Sequence, residues 1–189
     1  IRHGETAWNA IGRWQGHAPV PLNAAGHEQS AALGRYLTQR GMRFNVLYSS
    51  DLKRALQTAQ AIADPQGLTV QPDARLREVD LGEWQGLTRE EVKAWDGERY
   101  ATYLNDWHHV PPPSGESRHA LKLRVRAAFD DLAQRHEGQV VGLVTHGGTL
   151  GMLIESLFGP VERPSLANTS LTIVERAAPD EAWQLVRVA

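Results

Sequence analysis

The chain has 189 residues, and its 20 Lys and Arg against 22 Asp and Glu give a formal charge of −2. This length favours a single domain over residues 1–189, and the absence of cysteine excludes disulfide scaffolds, thiolate metal sites and a thiol nucleophile. The near-neutral charge argues against a nucleic-acid partner, and no apolar run approaches the roughly 20 residues that span a membrane. We therefore expect a soluble cytoplasmic protein. Because the sequence opens at Ile1 without an initiator Met, we also expect some residues to precede it.

The first half of the chain predicts two helices with a strand between them. Asn23 can cap a helix that runs to about Arg40, where Gly41 ends it. A short strand is predicted at Phe44–Tyr48. The next stretch, Asp51–Asp64, predicts a helix because its apolar residues recur at helical spacing: Leu52, Ala55, Leu56, Ala59 and Ile62.

Residues 76–116 depart from this alternation. Thr88 and Glu91 can form a capping box for a polar helix that reaches about Leu104. The prolines of Pro111–Gly115 cannot continue a helix or enter a central strand. We expect this stretch, called the lid segment below, to be an excursion from the main fold that covers a site, and not a second domain.

The second half returns to alternating helices and strands. An apolar stripe over Leu121–Leu132 predicts a helix that ends near Gly138. The β-branched run Val140–Val144 is typical of a strand covered on both faces, and Thr149–Phe158 reads as a helix. Two final strands are predicted at Leu171–Val174 and Trp183–Val188. Strands that alternate with helices predict an α/β fold with a largely parallel sheet.

Two histidines follow predicted strands, where open α/β sheets bind their ligands. His3 and His146 are each followed by glycine, and His146 also opens a helix, whose free N–H groups can bind an anion. Either histidine alone is more often a hydrogen-bonded structural residue. Arg2 beside His3 and Arg54 on the first turn of a helix favour a phosphate site, although Arg54 alone could equally be a solvated surface residue.

Five sequence blocks, ordered across residues 1–150, together resemble the histidine phosphatase superfamily, also called the phosphoglycerate mutase-like family. One Arg-His-Gly would be a weak signal, whereas five blocks in family order are specific. The chain departs from the pattern at Pro19, where relatives often have an acidic residue. The blocks are Arg2-His3-Gly4-Glu5-Thr6 with Asn9; Arg13-Trp14-Gln15-Gly16 with Pro21-Leu22 and Gly26; Ser49-Ser50-Asp51-Leu52-Lys53-Arg54-Ala55 with Thr58-Ala59; Leu76-Arg77-Glu78 with Gly82-Glu83-Trp84-Gln85-Gly86; and Val144-Thr145-His146-Gly147-Gly148.

The resemblance implies a three-layer α/β sandwich with a mostly parallel central sheet and helices on both faces. It implies that His3 is a nucleophile that forms a phosphohistidine. Arg2, Arg54 and His146 would surround the phosphoryl oxygens, so that neither a metal nor a cofactor is needed.

Glu78 matches the family's general acid, which protonates the leaving oxygen and then activates water. Asp80 and Glu83 lie in the same block and compete with it for this role. Further substrate-binding positions carried over from the matching motifs are Asn9, Gln15, Gly16 and Gly147.

The resemblance favours a metal-independent phosphomonoesterase that hydrolyses small organic phosphates. The lid segment is shorter than in mutases, and Asp106–Pro111 lacks the paired arginines that mutases carry there. Gln15-Gly16 and Pro113–Ser117 are similar to the corresponding segments of the small broad-specificity and α-ribazole phosphatases. The alternatives are mutase-type phosphoryl transfer, a non-catalytic phosphoryl-binding module, and a metal hydrolase with His3, His146 and Glu78 as ligands. The sequence does not reveal whether the protein is a monomer or a homodimer.

Four tryptophans fall in segments near the expected site. Packing in the core or under the lid segment is the simpler interpretation of them. The alternative is that one or two line a pocket for the organic leaving group. The four are Trp8, Trp14, Trp84 and Trp107.

Overall fold

The structure, a computed structural model, describes residues 1–160 and 166–188. Its central sheet has three parallel strands in the order β2-β1-β3: β1 (Val46–Ser49), β2 (Val70–Pro72) and β3 (Val141–Val144). A parallel bridge between Arg2 and Thr145 extends it on the far side of β3. The predicted parallel sheet is confirmed. Strand β2 was not predicted, because three residues ending in proline are too few to show an alternating pattern.

Apart from α1, which was not predicted, and the helices of the lid segment, the helices fit the predicted ones closely. In chain order they are α1 (Ala7–Ala10), α2 (Ala24–Gln39), α3 (Lys53–Ala63), α4 (Arg89–Trp95), α5 (Gly97–Asn105), α6 (Arg118–Arg135) and α7 (Gly147–Phe158). Asn23 caps α2 as expected, since its side chain accepts a hydrogen bond from the Gly26 N–H at 2.8 Å. Helix α7 begins two residues earlier than predicted, at Gly147 directly after His146.

Helices cover both faces of the sheet, as the resemblance implied. Val144 of β3 packs into a core formed with α2 and α3, whereas its neighbour Leu143 packs against a second core formed with α6 and α7. The first core contains Leu37, Leu47, Ala55, Ala59 and Ile62. The second contains Leu121, Val125, Phe129, Met152 and Leu153. This alternation along one strand accounts for the apolar run that predicted a strand buried on both sides.

Helices α2 and α3 approach each other closely at a glycine. A Cβ added to Gly34 in α2 would stand 2.3 Å from the carbonyl oxygen of Ala61 in α3. Such a distance is well inside van der Waals contact, so any larger residue would push the two helices apart.

The lid segment contains two helices where one was predicted. The capping box of Thr88 and Glu91 is present at the start of α4, but the helix breaks at Asp96, whose φ is −137°. The Asp96 carboxylate accepts a hydrogen bond from the indole N–H of the fully buried Trp84 at 3.2 Å. With Val92, Tyr100 and Tyr103, Trp84 forms a small separate core. The break therefore depends on a tertiary contact that helix periodicity does not contain.

The last two strands, β4 (Thr172–Glu175) and β5 (Gln184–Val188), were predicted with small shifts in their bounds. They pair antiparallel with each other and form a separate two-stranded sheet. Within the described ranges no helix combines the length and apolarity that crossing a membrane would require.

Candidate active site

A cavity of about 510 Å³ opens at the carboxyl edge of the sheet, beside the starts of α3 and α7. The segment after the first bridge, the two helix starts and the lid segment all contribute to its wall. Every predicted site residue except His146 lines it: Arg2, His3, Asn9, Gln15, Gly16, Arg54, Glu78 and Gly147.

His3 is held rigidly on the floor of the cavity and is only 3% exposed. Its N–H donates to the Thr145 carbonyl at 3.0 Å, and its carbonyl accepts from the Asn168 amide at 3.0 Å. The ring Nδ1 lies 2.6 Å from the Gly4 carbonyl oxygen. Because a carbonyl only accepts, Nδ1 carries the proton and Nε2 keeps its lone pair. Burial, and secondarily the charge of Arg54, lowers the pKa of His3 to about 3, so the ring is neutral.

Arg54 lies in the first turn of α3 and is 1% exposed. Its Nε donates to His146 Nδ1 at 3.2 Å, and its two terminal nitrogens donate to the carbonyls of Ala18 at 3.0 Å and Gly16 at 2.8 Å. Burial lowers the pKa of Arg54 to about 10, which still leaves it a cation at neutral pH. Because a guanidinium carries five N–H groups, donors remain for an anion in the cavity.

His146 is fully buried beside His3, with the two ring centroids 5.1 Å apart. Its Nδ1 accepts from Arg54, so its proton lies on Nε2, which donates to Ser50 Oγ at 2.8 Å. Burial, followed by the charge of Arg54, holds the pKa of His146 well below its usual value. Both ring nitrogens therefore have protein partners. The structure brings His146 to the back of Arg54 and not to the cavity wall, where the resemblance had suggested it.

Two charged side chains, Arg2 and Glu78, lie on opposite sides of the first turn of α7. A Cβ on Gly147 would stand 3.4 Å from Arg2 Nε, so the absence of a side chain leaves room for this guanidinium. On the other side, Glu78 accepts hydrogen bonds from the N–H groups of Gly148 at 2.9 Å and Thr149 at 3.0 Å. The positive end of the helix thus orients the carboxylate. The N–H of Gly147 has no hydrogen-bond partner among the described residues, so it is available to an anion.

The backbone on either side of Glu78 is also fixed. Arg77 forms an ion pair with Asp51 at the start of α3, with Nε–Oδ1 at 2.7 Å. Arg124 of α6 donates to the carbonyls of Arg77 at 3.1 Å and Glu78 at 3.2 Å, and is itself paired with Glu116 at 2.7 Å. Glu78 is therefore held both at its carboxylate and at its main chain.

The two competing carboxylates of this block lie outside the cavity wall. Asp80 accepts a hydrogen bond from the Gly82 N–H at 2.9 Å. Glu83 is exposed and accepts from Ser114 Oγ at 3.0 Å. Of the three, Glu78 alone lines the cavity, which favours it as the acid.

Residues 16–18, called the strap below, contact both Arg54 and Glu78. The carbonyls of Gly16 and Ala18 hold Arg54, and the ring Nε2 of His17 donates to the Glu78 carbonyl at 2.8 Å. Gly16 has φ +48°, a left-handed conformation that favours glycine. The sequence had indicated Gly16 but not His17.

Asn9 and Gln15 present amides to the cavity. Asn9 Oδ1 accepts from the Thr6 N–H at 3.1 Å in a capping box at the start of α1, which leaves its Nδ2 for a ligand. Gln15 is 8% exposed, and its Oε1 is buried with no hydrogen-bond partner. A buried amide oxygen without a partner is costly, which suits a group that contacts a ligand.

The outer wall consists mainly of residues that the sequence did not identify. Trp14 and Trp107 line it, as one of the two interpretations of the tryptophans expected, whereas Trp84 is completely buried and packs edge-on against Tyr103. The three-residue spacing of Tyr100 and Tyr103 on α5 was the available signal. The unpredicted lining residues include Arg13, Val79, Leu81, Arg89, Tyr100, Tyr103, Leu104 and Arg118.

The charge of the cavity suits a small anion. Five arginines and one carboxylate, Glu78, lie among its lining residues. In the part of the chain that the structure describes, no cluster of three or more His, Cys, Asp or Glu is arranged to hold a metal ion.

Known proteins resemble this chain along its whole length. Phosphoglycerate mutase-like protein 4 of Arabidopsis thaliana is 38% identical over 193 residues, which cover 98% of this chain and 81% of the relative. The metal-independent phosphoserine phosphatase of the same plant is 36% identical over 188 residues, covering 97% and 76%. The solved structure of the α-ribazole phosphatase from Shigella flexneri superposes with a TM-score of 0.87 at 31% identity, covering 100% of this chain and 93% of that one.

The named phosphatases among these relatives confirm the expected class of enzyme, a phosphoric monoester hydrolase. The family model for the histidine phosphatase superfamily, branch 1, matches residues 1–189. The sequence blocks, the parallel sheet and the residues gathered at its carboxyl edge agree with that match, and the chain belongs to the histidine phosphatase superfamily.

Proposed function

We propose that this protein is a metal-independent phosphomonoesterase that transfers the phosphoryl group of a small organic phosphate to His3 and then to water. The observation that carries the proposal is the tautomer of His3. Its Nδ1–H donates to the Gly4 carbonyl, so the Nε2 of the neutral ring keeps its lone pair, and the ring lines a cavity together with Arg2 and Arg54.

In the first step, Nε2 of His3 attacks phosphorus, a P–N bond forms and the P–O bond to the leaving group breaks. Glu78 gives its proton to the leaving oxygen. Arg2, Arg54 and the N–H of Gly147 neutralise the charge on the equatorial oxygens. In the second step, Glu78 takes a proton from water, a P–O bond to the water oxygen forms and the P–N bond breaks, so that phosphate leaves and both His3 and Glu78 return to their starting states.

The donor chemistry of the site supports a reaction without a metal ion. Two guanidinium groups lie where a divalent cation would stand, and like charges repel in a buried site. Both nitrogens of His146 are engaged by Arg54 and Ser50, so they are not available as ligands.

The proposal is tested by trapping the phosphoenzyme. Wild-type protein is incubated with a ³²P-labelled phosphomonoester, quenched in alkali, and assayed for protein-bound label that is stable in base and lost in acid. We expect labelling of the wild type, also in EDTA, and none in His3→Ala. His27→Ala, which removes an exposed histidine on α2, is the matched control and should label normally.

Label that persists in His3→Ala would contradict the assignment of the nucleophile, and loss of activity in EDTA would contradict metal independence. Phosphate release and isomerisation are measured in parallel with 3-phosphoglycerate as substrate. Isomerisation that exceeds release would replace the hydrolase with a mutase.

A further inference from the structure

Arg118, the first residue of α6, is a cation in the outer wall of the cavity. Among the described residues it forms no hydrogen bond or ion pair, and its Nε is buried and unpartnered. Its guanidinium lies over the ring of Trp107, 5.4 Å from the centroid. Arg13 lines the same cavity but differs in that it is paired with Glu91 at 3.0 Å.

The position of Arg118 relative to the proposed chemistry follows from Gly148. A Cβ on this glycine would stand 2.4 Å from Glu78 Oε1 and 2.6 Å from Arg118 Nη1. Arg118 and Glu78 are therefore close to each other beside Gly148. Arg2 lies beside the preceding residue of α7, Gly147. Because Glu78 is proposed to protonate the leaving oxygen, Arg118 lies beside the leaving group and not beside the phosphoryl group.

Glu78 does not neutralise Arg118. Both oxygens of its carboxylate already accept hydrogen bonds from the start of α7, and it forms no ion pair with the arginine. A partly buried guanidinium without a partner is costly, and its planar fork of donors matches a carboxylate. Trp107 supports one face of the guanidinium and leaves its edge for a ligand.

We propose that Arg118 is a specificity-determining residue that binds a carboxylate on the leaving group. The substrate class is then a phosphomonoester of a short hydroxy acid, with the carboxylate a few bonds from the ester oxygen. This inference rests on the proposed phosphatase function.

The test compares two substrates that differ at one group. Glycerol 3-phosphate carries a hydroxymethyl group where 3-phosphoglycerate carries a carboxylate, and phosphate release is measured for both. We expect Arg118→Gln to raise KM for 3-phosphoglycerate by about 10-fold to 100-fold, in line with the loss of a charged hydrogen bond, and to change glycerol 3-phosphate by less than about threefold. Arg118→Lys, which keeps the charge but not the fork, should fall between.

The matched control is Arg13→Gln, which removes an ion-paired arginine from the same cavity and should affect both esters alike. Equal effects of Arg118→Gln on the two esters, or no effect on either, would overturn the inference while the phosphatase function stands. If wild-type protein released phosphate from neither ester, this inference would fail, and the phosphoenzyme label on His3 would decide the proposed function separately.

Discussion

The two histidines of the site are kept neutral by burial. His3 is 3% exposed and His146 is fully buried, and the nearby Arg54 opposes a second positive charge on either ring. This state suits the proposed role of His3 as nucleophile, because protonation would occupy the lone pair that is proposed to attack phosphorus. The same burial affects the pH dependence of folding, because the two imidazoles bind protons more readily in the unfolded chain than in the folded one.

We predict that the protein loses stability as the pH falls from 7 to 5. The folded pKa of His3, about 3, lies below the ordinary value of 6.5, so the unfolded state binds more protons in this window and stability rises with pH. The contribution of His3 to the free energy of unfolding is complete above about pH 6.5 and is roughly 2 kcal/mol smaller at pH 5. His146 adds an effect of the same sign. Urea unfolding at the two pH values measures the free energy directly.

Two variants identify the source of this pH dependence. His3→Gln removes one buried ionisable group, so its free energy of unfolding should fall less between pH 7 and pH 5 than that of the wild type. His27→Gln, at an exposed site, should retain the wild-type dependence. A wild-type pH dependence in His3→Gln would show that the buried imidazole is not its origin.

At the scale of the elements, the strap contacts both the arginine and the carboxylate of the site. Its carbonyls at Gly16 and Ala18 hold Arg54, while His17 donates to the carbonyl of Glu78. A displacement of the strap would therefore affect both Arg54, which is proposed to bind the phosphoryl group, and Glu78, which is proposed to be the acid. The two effects can be separated, because only the His17 contact involves Glu78 directly.

We predict that His17→Ala impairs proton donation more than phosphate binding. Without the ring, the main chain of Glu78 loses one of its supports, and kcat for glycerol 3-phosphate should fall about tenfold, a part of the usual acid contribution. The phenolate of p-nitrophenyl phosphate leaves without a proton, so kcat for this ester should change by less than about twofold. Steady-state kinetics with both esters provide the comparison.

His17→Gln supplies the control, since its amide can donate to the same carbonyl and should restore much of the activity. An equal loss on both esters in His17→Ala would mean that the strap acts through Arg54 instead.

The sequence predicts the elements and the inner site well, for a physical reason. His3, Arg54 and Gly147 each follow a strand or bridge at one edge of a parallel sheet, and that topology brings them together. The break between α4 and α5 at Asp96 is not predictable in this way, because the Asp96 carboxylate accepts its hydrogen bond from Trp84, which lies outside both helices. From the sequence, Arg118 is an ordinary residue at a helix start, and the role proposed for it depends on which side chains surround it in space.

At the scale of the whole molecule, the three layers depend on close contacts that leave no space for a methyl group. The approach of α2 to α3 at Gly34 is one of them, with the Ala61 carbonyl 2.3 Å from the position of a Cβ. Gly151 in α7 is the contrasting case, because a Cβ there would meet nothing within 4 Å. Both glycines lie inside helices, so each destabilises its helix relative to alanine by a comparable amount.

We predict that alanine at these two positions changes stability in opposite directions. Gly34→Ala should lower the free energy of unfolding by about 1–3 kcal/mol, because the helices must separate. Gly151→Ala should raise it by about 0.5–1 kcal/mol, because the unfolded chain loses freedom and no contact is disturbed. Urea titration of both variants measures the two changes, and changes of the same sign would contradict the packing of α2 on α3.

The attachment of Glu78 to the first turn of α7 has a consequence for how such enzymes diverge. The carboxylate is bound to Gly148 and Thr149, in the helix that begins beside His146, and not to the helices of the lid segment. The separation between the proposed proton donor and the phosphoryl group is therefore set by contacts outside α4 and α5. Substitutions in α4 and α5 can reshape the space for the leaving group without retuning the reaction. Substrate preference can then change over evolutionary time while the chemical steps are inherited intact.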